Sequence, residues 1–340
     1  MSSKDPTVRS NHLVLRLVLA VLAALVLLIC IAMWWWDTEP DPFDPTAVTQ
    51  SELMLLKRPG TAGAETTITL IHSVEVLLNK RGGYLSNDKL PPGVLMDNIP
   101  NWELGSLTAD RDLVRALRND FSRSQTQSTE DKDLAEADPL LSSPHDRWLM
   151  PSTESQYREA VHHLRAYLDR LTDDDPSNAH FYPRADNLAD YLQVASTRLG
   201  SLSQRLSASV GQIRIDNVPS SDIPAGASTV AAPGGGQLVK TPWTHVDDNF
   251  YEARGYTWTL LAQLKAFQRD FGPVLKTRNA DMSLQQVIRE LEEAQKPFRS
   301  PMVMNGSPFG LFANHSLVMA NYVSRANAAL IDLRELLRRG

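Results

Sequence analysis

Cysteine is almost absent from this chain. Cys30 is the only one among 340 residues, and it lies inside an apolar run. The rest of the chain therefore has no disulfide, no thiolate nucleophile and no cysteine metal site. Catalytic signatures are missing as well: there is no Gly-x-Ser-x-Gly elbow and no His-Glu-x-x-His pair. Gly234-Gly235-Gly236 is not followed at phosphate-loop spacing by Lys-Ser or Lys-Thr, and Lys240-Thr241 comes too late and precedes Pro242. A basic excess is lacking too. Lys and Arg total 34 against 40 Asp and Glu. Setting aside Lys4, Arg9, Arg16 and Asp5 leaves residues 37–340 at a formal charge of −8. That balance argues against a nucleic-acid partner and against electrostatic adhesion to anionic lipid. No fixed-period repeat and no sustained strand alternation is present; only Gln212–Val218 suggests a short extended piece.

What is present begins with an apolar run from Leu13 to Trp36, interrupted only by Arg16. Leu17 to Trp36 is free of charge and matches the ~20 residues a helix needs to cross a bilayer. Lys4, Arg9 and Arg16 lie before or at its start; Asp37, Glu39, Asp41 and Asp44 follow it, with no base before Lys57. This asymmetry predicts a cytoplasmic tail over 1–12, a transmembrane signal anchor over 13–36 and an exported remainder. Trp34, Trp35 and Trp36 form an aromatic belt where the helix leaves the lipid. A cleaved signal peptide fits poorly, because the run is long and no small-x-small site ends it. A lipoprotein would need small residues before Cys30, where Leu28-Ile29 stand.

Pro40, Pro42 and Pro45 alternate with acids, so 37–48 reads as an extended stalk that holds the domain off the membrane. Residues 49–340 show helical periodicity with capping boxes, for example Thr49-x-x-Glu52 and Thr153-x-x-Gln156. Leu188, Leu192, Ala195, Leu199, Leu202 and Leu206 form a coiled-coil-like seam expected to pack inside its own bundle. Residues 211–243, rich in Pro and Gly, read as a flexible loop. The fold class is all-α: an N-terminal transmembrane helix followed by a bundle of six to eight helices.

No catalytic residue, metal ligand or cofactor site emerges. Glu159-x-x-His162, with His163 beside it, has no second copy and reads as a solvated helix face. Two stretches are more informative. Residues 82–102 are turn-rich yet carry Tyr84, Leu85, Leu95, Met96 and Trp102, which marks an ordered loop. Residues 118–133 are dense in polar side chains. If the loop folds back along the intervening helix, Tyr84, Asn87, Asp88, Asn98 and Trp102 line one binding patch with Arg118, Asp120 and Arg123. The competing expectation is that Tyr84 and Trp102 bury themselves and Arg118 pairs with an acid.

Four motifs carry a resemblance: Gly-Gly-Tyr-Leu-Ser-Asn-Asp (82–88), Asp-Asn-Ile-Pro-Asn-Trp-Glu (97–103), Arg-Asn-Asp-Phe-Ser-Arg-Ser-Gln (118–125) and Arg-Leu-Gly-Ser-Leu-Ser-Gln-Arg-Leu-Ser (198–207). With them the chain resembles an uncharacterised family of Gram-negative single-pass inner-membrane proteins, domain-of-unknown-function family 2333. The resemblance implies a bacterial inner-membrane setting and no activity. The expectation is a periplasmic interaction or scaffold protein, held in the bilayer through Leu13 to Trp36 and partnered by another envelope protein. The alternatives are an envelope-polymer hydrolase using carboxylates that sequence does not pair, and a helical sensor of a small ligand.

Overall fold

The structure is a computed structural model that describes residues 6–124, 129–173, 175, 177–214, 228–231, 237–297, 300, 302–307 and 310–339. Eleven α-helices dominate it. The first, α1 (Pro6–Trp36), contains the stretch Val14–Trp36, long and apolar enough to cross a membrane. None of its most apolar window is covered by the rest of the chain, unlike the core helix of a soluble protein.

Ten helices follow: α2 (Pro45–Leu56), α3 (Ala64–Asn79), α4 (Asn98–Ala116), α5 (Lys132–Leu141), α6 (Thr153–Leu171), α7 (Ala185–Ser207), α8 (Val246–Asp270), α9 (Gly272–Thr277), α10 (Asp281–Ala294) and α11 (His315–Arg338). Eight of them exceed ten residues; α5 and the single-turn-scale α9 complete the set. Local signals explain the starts. Asp44 caps α2 by accepting from Thr46 N, with Pro45 at the first helical position. The helix thus begins four residues before the Thr49 capping box. Ser152 caps α6, and Asn314 caps α11. A five-residue π turn, Leu117–Phe121, continues α4.

The parallel pair α4–α8 lies at the centre. Ser106 Oγ and Thr259 Oγ1 are 2.6 Å apart, and Gln263 Nε2 donates to Ala109 O at 3.2 Å. The pair packs backbone to backbone: a Cβ on Gly255 would stand 1.9 Å from Trp102 O, and one on Gly105 2.0 Å from Glu252 O. Helix α3 runs antiparallel to both, tied by Thr66–Asp270 at one end and Lys80–Glu103 at the other. With α5 and α6 it covers one side of the pair. On the other side α7 is antiparallel to α8 and to α11, through Tyr191–Gln263, Arg205–Glu252 and Ser196–Asn327. The Leu188–Leu206 seam is buried there against α11, as its spacing predicts.

These directions sort the connections into two ends. The described residues of segments 80–97, 142–152, 208–245 and 295–314 gather at the end where α1 joins; those of 57–63, 122–131, 172–184 and 271–280 gather at the far end. Within 208–245 the described pieces form a three-stranded antiparallel sheet: β1 (Gln212–Arg214), β2 (Ser228–Ala231) and β3 (Gln237–Lys240), in the order β1-β3-β2. Thr241 N bonds to Ala208 O and fastens it to the end of α7. The proposed flexible loop otherwise falls on 215–227 and 232–236, outside the described residues.

One expectation is corrected. The expected stalk 37–48 is not free: residues 37–44 lie against the bundle, and 45–48 form the first turn of α2. Glu39 accepts from Arg254 Nε at 2.8 Å and Nη2 at 2.5 Å, and Phe43 sits edge-on to His72 and Trp258, with ring centres at 4.5 and 5.3 Å. Of the acids that looked self-repelling, Glu39 has its partner far along the chain, and its attraction to Arg254 outweighs repulsion among neighbours.

Candidate functional site

The eight residues expected to form one patch are divided between the ends of α4. Trp102 to Arg118 is sixteen residues, roughly 24 Å of helix, and the 82–102 loop does not fold back along it. Tyr84 and Trp102 are core residues, edge-on to Tyr157 and Trp258 respectively. Asn87 is buried and donates to Arg147 O and Glu154 Oε2. Asp88 is half-exposed, its carboxyl pushed up by burial and then by Glu154. Asn98 donates to Asp37 at 3.3 Å, joining the start of α4 to the residue after α1.

Sequence reasoning missed the residue that orders this loop. Glu103 is fully buried and accepts from Leu85 N (2.9 Å), Ser86 N (2.8 Å), Ser86 Oγ (2.5 Å) and Lys80 Nζ (2.6 Å). Such charge-assisted bonds are the strong ones. They tie 82–88 to 97–103, two of the motifs that carry the resemblance. The signal was a glutamate closing a motif otherwise made of turn and apolar residues.

At the far end Arg118 grips Glu130 with Nε and Nη2 (3.1 and 2.8 Å) and reaches Asp138 at 3.1 Å. Arg123 stands 4.0 Å from Glu130. Asp120 is half-buried, and its carboxyl is pushed up by burial and then by Asp190. Its backbone carbonyl accepts from Asn187 Nδ2 near the start of α7, which with α9 and the end of α11 encloses a groove of about 620 Å³. Pro273, Val274 and Leu337 give this groove apolar surface; Arg184, Asp186, Asp190, Arg278 and Arg338 supply charges of both signs. Arg184 pairs with Asp186, and Arg338 Nη2 lies 3.1 Å from Asp190. The hydrogen bond from Arg184 holds the Asp186 carboxyl below the usual range. Apolar ground beneath paired, partly exposed charges suits a polypeptide segment, whose own side chains can exchange with these pairs.

The other buried acids are engaged in structure. Asp110 accepts from Ser73 Oγ at 2.9 Å, and burial pushes its carboxyl well up. Asp270 accepts from Thr66 N and Oγ1, and burial raises it too. Among the described residues no group of three or more His, Cys, Asp or Glu is arranged to hold a metal. His163 faces Asp133 at 3.6 Å, while Glu159 and His162 are exposed.

A family model described as an uncharacterized protein conserved in bacteria (DUF2333) matches residues 8–340. No curated protein and no solved structure matches the chain.

Proposed function

The chain belongs to the DUF2333 family of bacterial proteins, and from that premise we propose that it is a membrane-anchored scaffold of the cell envelope. In this reading α1 is retained in the inner membrane with the N-terminus inside, the bundle is periplasmic, and the far-end groove receives a segment of an envelope protein. The observation that carries it is the docking of 37–44. Glu39 on Arg254 and Phe43 on Trp258 fasten the chain leaving α1 to the central helix α8. A bundle so fastened presents its far end away from the bilayer at a fixed attitude, as a scaffold requires. The hydrolase alternative calls for two carboxylates facing across a cleft. Asp186 and Asp190 in the groove instead lie one turn apart on α7, each on an arginine.

Two measurements test the proposal. A C-terminal alkaline phosphatase fusion is active and the mature protein starts near Met1; an inactive fusion or a start beyond Trp36 overturns the topology. In-cell photocrosslinking from Thr277 recovers an envelope protein, and Arg278→Glu abolishes recovery without lowering the melting temperature. Recovery that ignores Arg278→Glu removes the groove from the reading.

A further inference from the structure

Large apolar side chains are left exposed unevenly. Outside α1, eighteen are exposed among the described residues. Thirteen sit in the four connecting segments at the α1 end; the four at the far end have none, and Met54, Leu55 and Met282 lie in helix turns that adjoin them. The most open of the thirteen are Leu311 (101 %), Met150 (92 %), Trp243 (85 %) and Phe312 (73 %); Leu149 adjoins Met150, and Leu95 stands in the remaining segment. Exposed apolar surface gathered at one end of a bundle marks an interaction face, whereas scattered single residues do not.

Contacts place this face at the level where α1 leaves its apolar stretch. Leu95 and Met96 share a small cavity with Met33 and Trp34. Arg81 and Ser300 share another with Trp34 and Trp35. Trp36 lies so close to Gly82 that a Cβ there would stand 2.8 Å from the indole. The segments are also joined in pairs, 80–97 to 142–152 and 208–245 to 295–314, and the helices α4 and α8 link the pairs. Asn87 donates to Arg147 O, Asn101 to Asp248, Asn305 to Ser209 O, and Arg254 to Ala294 O and Lys296 O. Together they form a base around the end of α1.

We infer that this base is a second membrane contact: the loop tips carrying Leu95, Leu149, Met150, Trp243, Leu311 and Phe312 enter the lipid interface around α1. The inference rests on α1 spanning the bilayer. Trp and Leu at the tips suit the headgroup–acyl boundary, where an aromatic body is buried and its N–H stays wet. The exposed charges nearby are mixed, Arg81, Lys89 and Arg147 beside Asp97 and Asp146. Apolar burial, not headgroup charge, drives the contact.

The test uses the full chain in vesicles of phosphatidylcholine, with and without phosphatidylglycerol. On a Cys30→Ser background, an environment-sensitive fluorophore is placed singly through Met150→Cys, Leu311→Cys, Met282→Cys and Leu25→Cys. Lipids brominated on the acyl chain serve as quenchers. Leu25 reports on α1, and Met282 is an exposed apolar site at the far end. The expected result is blue-shifted, quenched emission at positions 25, 150 and 311 and neither change at 282, with or without phosphatidylglycerol and in high salt. Quenching at 25 alone overturns this inference and leaves the anchor standing. No quenching at 25 removes the anchor itself. Quenching at 150 and 311 that appears only with phosphatidylglycerol and vanishes in salt overturns the apolar contact in favour of a charged one.

Discussion

Gly255→Ala is a sensitive probe of the α4–α8 pair. In an ordinary helix the change stabilises by about 1 kcal/mol, because glycine loses the most backbone freedom on folding. Here the new Cβ meets Trp102 O at 1.9 Å, and real Cβ contacts do not fall below 3.0 Å. The obstacle is backbone, so no rotamer relieves it and the helices must part by at least 1.1 Å. That displacement stretches the 2.6 Å Ser106–Thr259 hydrogen bond beyond a useful length and loosens the Trp102–Trp258 contact. Overpacking costs about 1–3 kcal/mol and orphaning buried hydroxyls about 1–3 kcal/mol. The net loss is about 1–5 kcal/mol after the propensity gain. Gly200→Ala is the matched control. It lies within α7, and its Cβ would meet nothing closer than Asn327 Nδ2 at 3.6 Å. It gains about 0.5–1 kcal/mol. Both variants are purified in detergent and unfolded with urea, followed by far-UV circular dichroism. If they shift the midpoint in the same direction, the reasoning about the helix crossing is wrong.

Two further outcomes follow from buried charge. Arg254→Met leaves Glu39 without its partner, at a cost of about 3–5 kcal/mol for a pair this buried. Proteolysis within 37–44 should then accelerate, and adding Glu39→Gln should restore part of the protection; unchanged cleavage would mean that the linker is held by Phe43 alone. Asp110 is pushed up by burial, so its protonated form is favoured in the folded state. By linkage its contribution is fully present below the ordinary carboxylate value and is lost as pH rises towards the folded one. Asp110→Asn should therefore gain stability relative to the parent as pH is raised from about 4 to 8, and a pH-independent difference in urea midpoints would refute the assignment.

Much of this architecture was legible without coordinates. Periodicity located the packed helices because an apolar face has to be buried whatever it meets, and the Leu188–Leu206 seam announced its own burial. The candidate patch was not legible. Tyr84 and Trp102 have the chemistry of interface anchors, but the same residue types fill cores, and Glu103 clamps their loop inward. Arg118 is spent on Glu130 and Asp138. The far-end groove joins three helices whose relevant residues, near 185, 275 and 338, share no motif.

The sequence by itself determined the membrane-competent α1 and the all-α class, since both follow from local hydrophobicity and its period. Only the tertiary structure decided what becomes of residues 37–44. Composition makes them an extended acidic spacer, and they form no helix or strand. Yet Glu39 meets Arg254, 215 residues away, and that contact turns a spacer into a fastening. Charge pairing across such a separation depends on which helix faces which, and no local pattern encodes it.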